Sequence, residues 1–129
     1  MRNGRFSILI VDDDEPIREV LMWILGDEYC CSVAAGADQA MGLLSARSFS
    51  LVLADLKMPG ASGFELCRAI KLATPETVVL LMSSINEPLC ASEAAKCGAS
   101  GYLVKSSDLF HIESIVKSLF EDSETGAEK

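Results

Sequence analysis

The chain is expected to fold as a doubly wound α/β domain, an open sheet of five parallel strands with helices on both faces. Three observations predict it. Residues 6–11 (FSILIV), 51–56 (LVLADL) and 77–82 (TVVLLM) are short, mainly apolar runs of strand length, the pattern of strands buried on both faces. Amphipathic stretches at helical spacing lie between them. The connections are short, so each strand–helix–strand unit should be a right-handed crossover joining parallel strands.

Taken in order, residues 6–11 form the first strand, and Ile17, Val20, Leu21, Ile24 and Leu25 then recur at helical spacing. Asp14 is placed to cap that helix, Pro16 is tolerated in its first turn and Gly26 ends it. Residues 30–35 (CCSVAA), bounded by Gly36, make a weaker second strand, and residues 37–47 a second helix. The third strand is 51–56, and its helix, 63–73, stops before Pro75. After the fourth strand, 77–82, a helix over 86–96 opens at Asn86 and Pro88 and closes at Gly98, a left-handed cap. Its small residues Ala91, Ala94 and Ala95 bury little area, so it should be the least firmly held helix. Residues 100–104 (SGYLV) give the fifth strand, and Ile112, Ile115, Val116, Leu119 and Phe120 the cleanest apolar stripe of the chain. Residues 1–121 thus read as one domain and 122–129, which lack an apolar face, as a polar tail or the start of a linker.

Composition narrows the function. A chain of 129 residues, half of them hydrophobic, can bury roughly two thirds of its unfolded surface around one core. Nineteen acidic against eleven basic residues give a net charge of -8, which opposes direct binding to nucleic acid or to an anionic membrane. Five cysteines without a CxxC pair support neither a disulfide framework nor a zinc ribbon, and a reducing cytoplasm is the expected compartment. The apolar run at 6–11 is too short for a signal segment, and no stretch approaches the roughly 18 apolar residues of a membrane helix. With His111 the single histidine, histidine-rich zinc hydrolase sites are out, and any metal must be held by oxygen.

In an open α/β sheet, ligands bind outside the carboxyl ends of the strands. Those ends carry Asp12, Asp13 and Asp14 after the first strand, Asp55 in the third, Ser83 and Ser84 after the fourth and Lys105 after the fifth. Clustered carboxylates repel, so they raise a pKa or recruit a hard divalent cation, and few ligands with open water positions suit Mg²⁺. Asp14 and Glu15 are explained by helix capping and the macrodipole, and a serine pair or one lysine is commonly plain surface. Asp55 is not so explained, because a carboxylate inside an apolar run must bear partial burial.

The stretches ILIVDDDEPIR, LVLADLKMPGASGFEL, VVLLMSS and CGASGYLVKS, in this order, resemble the receiver domain of bacterial response regulators over residues 6–120. The resemblance implies a flavodoxin-like (βα)5 sheet of order 2-1-3-4-5. It implies that Asp55 is the phosphoacceptor, taking a phosphoryl group from a histidine kinase or phosphotransfer protein. Asp13 and Asp55 would ligate Mg²⁺ directly, Asp12 through water, and the backbone carbonyl of Lys57 would complete the protein ligands. Lys105 and the Ser83 hydroxyl would hold phosphoryl oxygens, and Tyr102 would move inward when Ser83 is engaged. Such a domain is a phosphoacceptor and not a turnover enzyme. Its usual output surface is the face of the fourth helix, fifth strand and last helix, where dimerisation or docking of an output domain or partner protein is expected.

Two positions depart from the family pattern. Ser106 and Ser107 follow the lysine where proline and an aromatic residue are usual, and a cis bond after Lys105 would cost several kcal/mol more without proline. Lys57 and Ile85, two residues beyond Asp55 and Ser83, match sites that in the family flank the route of the attacking water, and their bulk is expected to slow loss of the phosphoryl group. Two other readings compete. A haloacid dehalogenase-type Mg²⁺ phosphatase would use the DxD pair Asp12 and Asp14, but Pro16 stands where it needs Thr or Val, and only Asp108 could supply its later acids. A receiver fold working as an interaction module without phosphorylation is opposed by Asp12, Asp13, Asp55, Ser83 and Lys105 all being present. The remaining residues are given plain roles: Met22 and Trp23 at the edge of the core, Cys90 and Cys97 as small hydrophobes and His111 at the surface.

Overall fold

The structure, a computed structural model, describes the backbone of residues 6–84 and 88–128 and the side chains of 6–84 and 92–121. Five strands alternate with helices: β1 Ser7–Val11, α1 Glu15–Leu25, β2 Cys30–Ala34, α2 Ala37–Ala46, β3 Leu51–Asp55, α3 Gly63–Ala73, β4 Val78–Ser83, α4 Pro88–Lys96 and β5 Gly101–Val104. A helical turn, Lys105–Asp108, and a 3-10 turn, Leu109–His111, then lead into α5, Ile112–Glu128. All four strand pairings are parallel and the order is β2-β1-β3-β4-β5, as expected. The chain leaves β1 in one direction to β2 and later returns to its other side at β3, so the crevice lies above the ends of β1 and β3.

Alternate strand residues feed two cores. Leu9, Val11, Val52, Ala54, Val79 and Leu81 meet Ala40 of α2, Leu66 and Ile70 of α3 and Ala94 of α4. Ile8, Ile10, Leu51, Leu53, Leu80 and Met82 meet Leu21 and Leu25 of α1 and Ile112, Val116 and Phe120 of α5. A one-residue slip of any central strand would exchange these faces, and since both are apolar the register is held by the ends, where polar residues begin. β3 is buried along its whole length, Asp55 included.

Several expectations change. Trp23 is 81% exposed and does not pack at the core edge. It stands two residues from both Leu21 and Leu25, about 200° round the helix, which aims it at solvent. Val20 is likewise exposed although it belongs to the periodic set. Asp14 occupies the N-cap position of α1 in extended conformation, but its side chain makes no capping hydrogen bond. The polar residues after Phe120 continue α5 to Glu128, since propagation adds one hydrogen bond for each residue fixed once a helix exists. Ile85 and Asn86 lie outside the described residues, as does the side chain of Cys90. Cys97 and Cys67 are buried, and the Cys67 thiol donates to the Cys97 carbonyl oxygen at 3.3 Å.

Candidate functional site

Every predicted strand end except that of β2 delivers a polar side chain to one rim. The Asp12 amide donates to the Ala34 carbonyl at 3.1 Å, which extends the β1–β2 pairing by one residue and turns the Asp12 carboxylate inward. Its Oδ1 accepts the Asp14 amide at 2.9 Å, closing a tight turn that leaves Asp13 exposed at the mouth. Asp55 pairs with Met82 in the sheet register, and the next amide, Leu56, donates to the Met82 carbonyl at 2.8 Å. Asp55 is therefore held by ladder bonds on either side of itself and is only 6% exposed. Ser83, 4% exposed, stands one residue further along β4, and its register partner Val104 is followed at once by Lys105.

Strands are roughly 4.8 Å apart, so Lys105 must reach back across β4 to the acids, which a four-carbon stem allows. Its ammonium lies 2.7 Å from Asp12 Oδ2 and 3.3 Å from Asp55 Oδ2. Asp55, Ser83 and Lys105 border an open cavity of about 850 Å³ lined also by Asp13, Asp14, Lys57, Ser84, Ser106 and Leu109. Burial, and then the Asp12 charge, push the Asp55 carboxyl up from 3.8 to about 6, while Lys105 and the Lys57 amide act in the opposite direction. Burial works to lower the Lys105 ammonium, but hydrogen bonding and charge from Asp12, then Asp55, outweigh it and hold the pKa above its ordinary value.

The carboxylates of Asp12, Asp13 and Asp55 bring one oxygen each within 4.8 Å of one another. Asp12 Oδ2 is fully buried and, beyond its ion pair with Lys105, accepts no hydrogen bond. Three converging carboxylates with spare buried acceptor capacity fit a hard divalent cation. Asp14 is not in this group. Tyr102 is half-buried on β5, opposite Leu81 in register and packed against the core that contains α4.

A family model for the response regulator receiver domain matches residues 8–117. The chain belongs to this family. As a receiver domain it is 34% identical over 130 residues to the transcriptional regulatory protein ZraR of Salmonella typhimurium, covering 99% of this chain and 30% of that protein. It thus spans less than a third of that relative's length. Among solved structures, the response regulator TrrA of Thermotoga maritima in complex with Mg(2+)-BeF superposes with a TM-score of 0.79 at 29% identity, covering 88% of this chain and 98% of that one. A LuxR-family response regulator from Aurantimonas gives a TM-score of 0.85 at 27% identity, covering 92% and 87%. Receiver domains are phosphoacceptors, and phosphorylation-dependent switching is the general function of the family.

The residue reading missed four contributors to the site. Arg18 Nη1 donates to the Asp12 carbonyl oxygen at 2.8 Å, clamping the turn that carries the acids. Ser62 and Glu65 form a capping box that starts α3; the S-x-x-E pattern of 62–65 was a readable signal. Gly63 packs so closely beneath the third strand that a Cβ there would stand 2.4 Å from the Asp55 carbonyl oxygen. Asp108 accepts the Val104 amide at 2.7 Å. Neither of the last two leaves a mark in the local sequence.

Proposed function

We propose that this receiver domain is a signalling switch that accepts a phosphoryl group on Asp55 from a histidine kinase or phosphotransfer protein, with Mg²⁺. The observation that carries the reading is the Lys105 ammonium within 3.3 Å of a buried Asp55 carboxylate that has Asp12 and Asp13 beside it. Asp13 and Asp55 would hold the ion directly, Asp12 through water, with the Lys57 carbonyl completing the set. The ion would supply positive charge to the transferring phosphoryl group. Asp55 attacks in line as the already ionised nucleophile, so no side-chain base is required. Lys105 pairs with a phosphoryl oxygen and the Ser83 hydroxyl donates to another.

In its new position Ser83 draws Tyr102 inward, which transmits the change to the face of α4, β5 and α5. That face would dock an output domain or partner protein, or a second copy of the chain. The cytoplasm is the proposed setting; among the described residues no helix is long and apolar enough to cross a membrane. With a net charge of -8, direct nucleic-acid binding is left to other parts of the signalling system. Incubation with acetyl phosphate and Mg²⁺ followed by intact mass measurement tests the reading. Wild type should gain one phosphoryl increment and Asp55→Asn none; uptake by the variant, or none by wild type, sinks it.

A further inference from the structure

Lys105 is the most distant member of the site in the sheet and the one whose surroundings depart most from the family pattern. No cis peptide bond occurs among the described residues, and the chain passes from β5 straight into the helical turn Lys105–Asp108. Ser106 and Ser107 in that turn are exposed, and neither has a ring to fix its φ. Yet only 14% of the Lys105 side chain is exposed, and it makes two ion pairs. A lysine stem carries about 2 kcal/mol of rotamer entropy, so its placement depends on how firmly its own backbone is set.

Asp108 sets it. Val104, the residue before Lys105, is extended, at φ -99° and ψ 118°. β5 is the last strand of the sheet, so one side of it has no neighbouring strand to take its amides. Asp108 Oδ2 reaches back four residues and accepts the Val104 amide at 2.7 Å, a charge-assisted bond in a half-buried setting. The carboxylate also favours the start of the helical path on which it lies. Lys105 is thus bracketed: β4 pairing at Val104 fixes the chain on one side, and the closed turn fixes it on the other.

We propose that Asp108 is a positioning residue for Lys105, closing the strand-to-helix turn by a hydrogen bond where the family pattern relies on proline. The proposal rests on the phosphoacceptor reading. Its test is the rate of phosphorylation by acetyl phosphate with Mg²⁺, followed by intact mass, for wild type, Asp108→Ala, Asp108→Asn, Lys105→Ala and the Lys105→Ala/Asp108→Ala pair. Asp108→Ala should react about tenfold more slowly, short of the hundredfold that about 1 Å of misplacement can cost. Asp108→Asn keeps an acceptor oxygen and should restore most of the rate.

In the Lys105→Ala background, loss of Asp108 should change nothing further, because there is no ammonium left to place. A general weakening of the fold would slow both backgrounds alike and would overturn the proposal, as would an Asp108→Ala rate equal to wild type. Urea denaturation of each variant identifies such weakening directly. Failure of wild type to take up a phosphoryl group overturns the phosphoacceptor reading and this proposal together, whereas a normal wild type with an indifferent Asp108→Ala overturns this proposal alone.

Discussion

Replacing Asp55 with Asn should stabilise the metal-free protein at neutral pH, against the usual direction for a substitution at a buried site. Asp55 is 6% exposed, and burial, with Asp12 second, raises its carboxyl from 3.8 to about 6. In the unfolded chain the carboxyl titrates near its ordinary value. Because the folded pKa is the higher one, the native state binds the proton more tightly, and ionisation above about pH 6 is a cost to folding. Stability from this group therefore rises as pH falls from about 6 towards 4 and is lost as pH rises through that window. The interval between 3.8 and about 6 corresponds to about 3 kcal/mol. Asn keeps the shape and removes the charge, so it should recover about 2–3 kcal/mol at pH 7.5 in EDTA and only about 1 kcal/mol at pH 4.5. Urea denaturation followed by far-UV circular dichroism is the suitable assay, since Trp23 is 81% exposed and a poor reporter of unfolding. Mg²⁺ should stabilise wild type more than the variant. Equal stabilities at pH 7.5, or a gain that does not change with pH, would refute the reasoning.

Three other perturbations probe the supports of the site. Gly63→Ala places a Cβ 2.4 Å from the Asp55 carbonyl oxygen and 2.9 Å from Leu56 Cα, backbone atoms that cannot swing aside. It should cost about 1–3 kcal/mol in thermal or urea unfolding and slow phosphorylation; an unchanged, fully active variant would show that the approach is loose. Arg18→Ala removes the donor to the Asp12 carbonyl oxygen and should cost about 1 kcal/mol, with weaker Mg²⁺ binding by calorimetric titration. Leu21→Ala, at a fully buried position, should lose about 2–5 kcal/mol, whereas Trp23→Ala should stay within about 0.5 kcal/mol of wild type. Comparable losses at the two positions would mean that α1 is turned differently on the sheet.

The fold and the chemical groups of the site were legible in the sequence because each rests on a local rule. Short, mainly apolar runs bounded by turn residues read as strands covered on both faces, and all three proved to be central. Asp55 was legible for the same reason: it interrupts such a run, and the structure finds it buried. The supports were not legible because they depend on approach between segments far apart in the chain or on backbone geometry. Arg18 belongs to a polar face of α1 and nothing in its neighbours says that its guanidinium folds over the Asp12 carbonyl. Gly63 reads only as the first residue of a predicted helix, and only the passage of α3 beneath the end of β3 brings its Cα against the Asp55 carbonyl oxygen. Trp23 shows the opposite error, in which hydrophobicity was given more weight than the helical angle that separates it from Leu21 and Leu25.

The instability of the acidic cluster and its use follow from one arrangement. Parallel strands of nearly equal length end on one rim, so three carboxylates carried by two neighbouring strands must meet there. Lys105 compensates part of the repulsion but comes from the far side of β4, and one ammonium cannot balance three carboxylates. The remaining negative charge is what a divalent cation would satisfy, at a gain of about 2.7 kcal/mol when its concentration is a hundred times its dissociation constant. That ion would in turn let a phosphoryl group approach an otherwise repelling surface. A site built to be neutral without metal would lose this ordering. Removing the charge of Asp55 should therefore raise the stability of the metal-free chain while abolishing its response to Mg²⁺, and a variant that gained stability yet kept that response would separate the two properties.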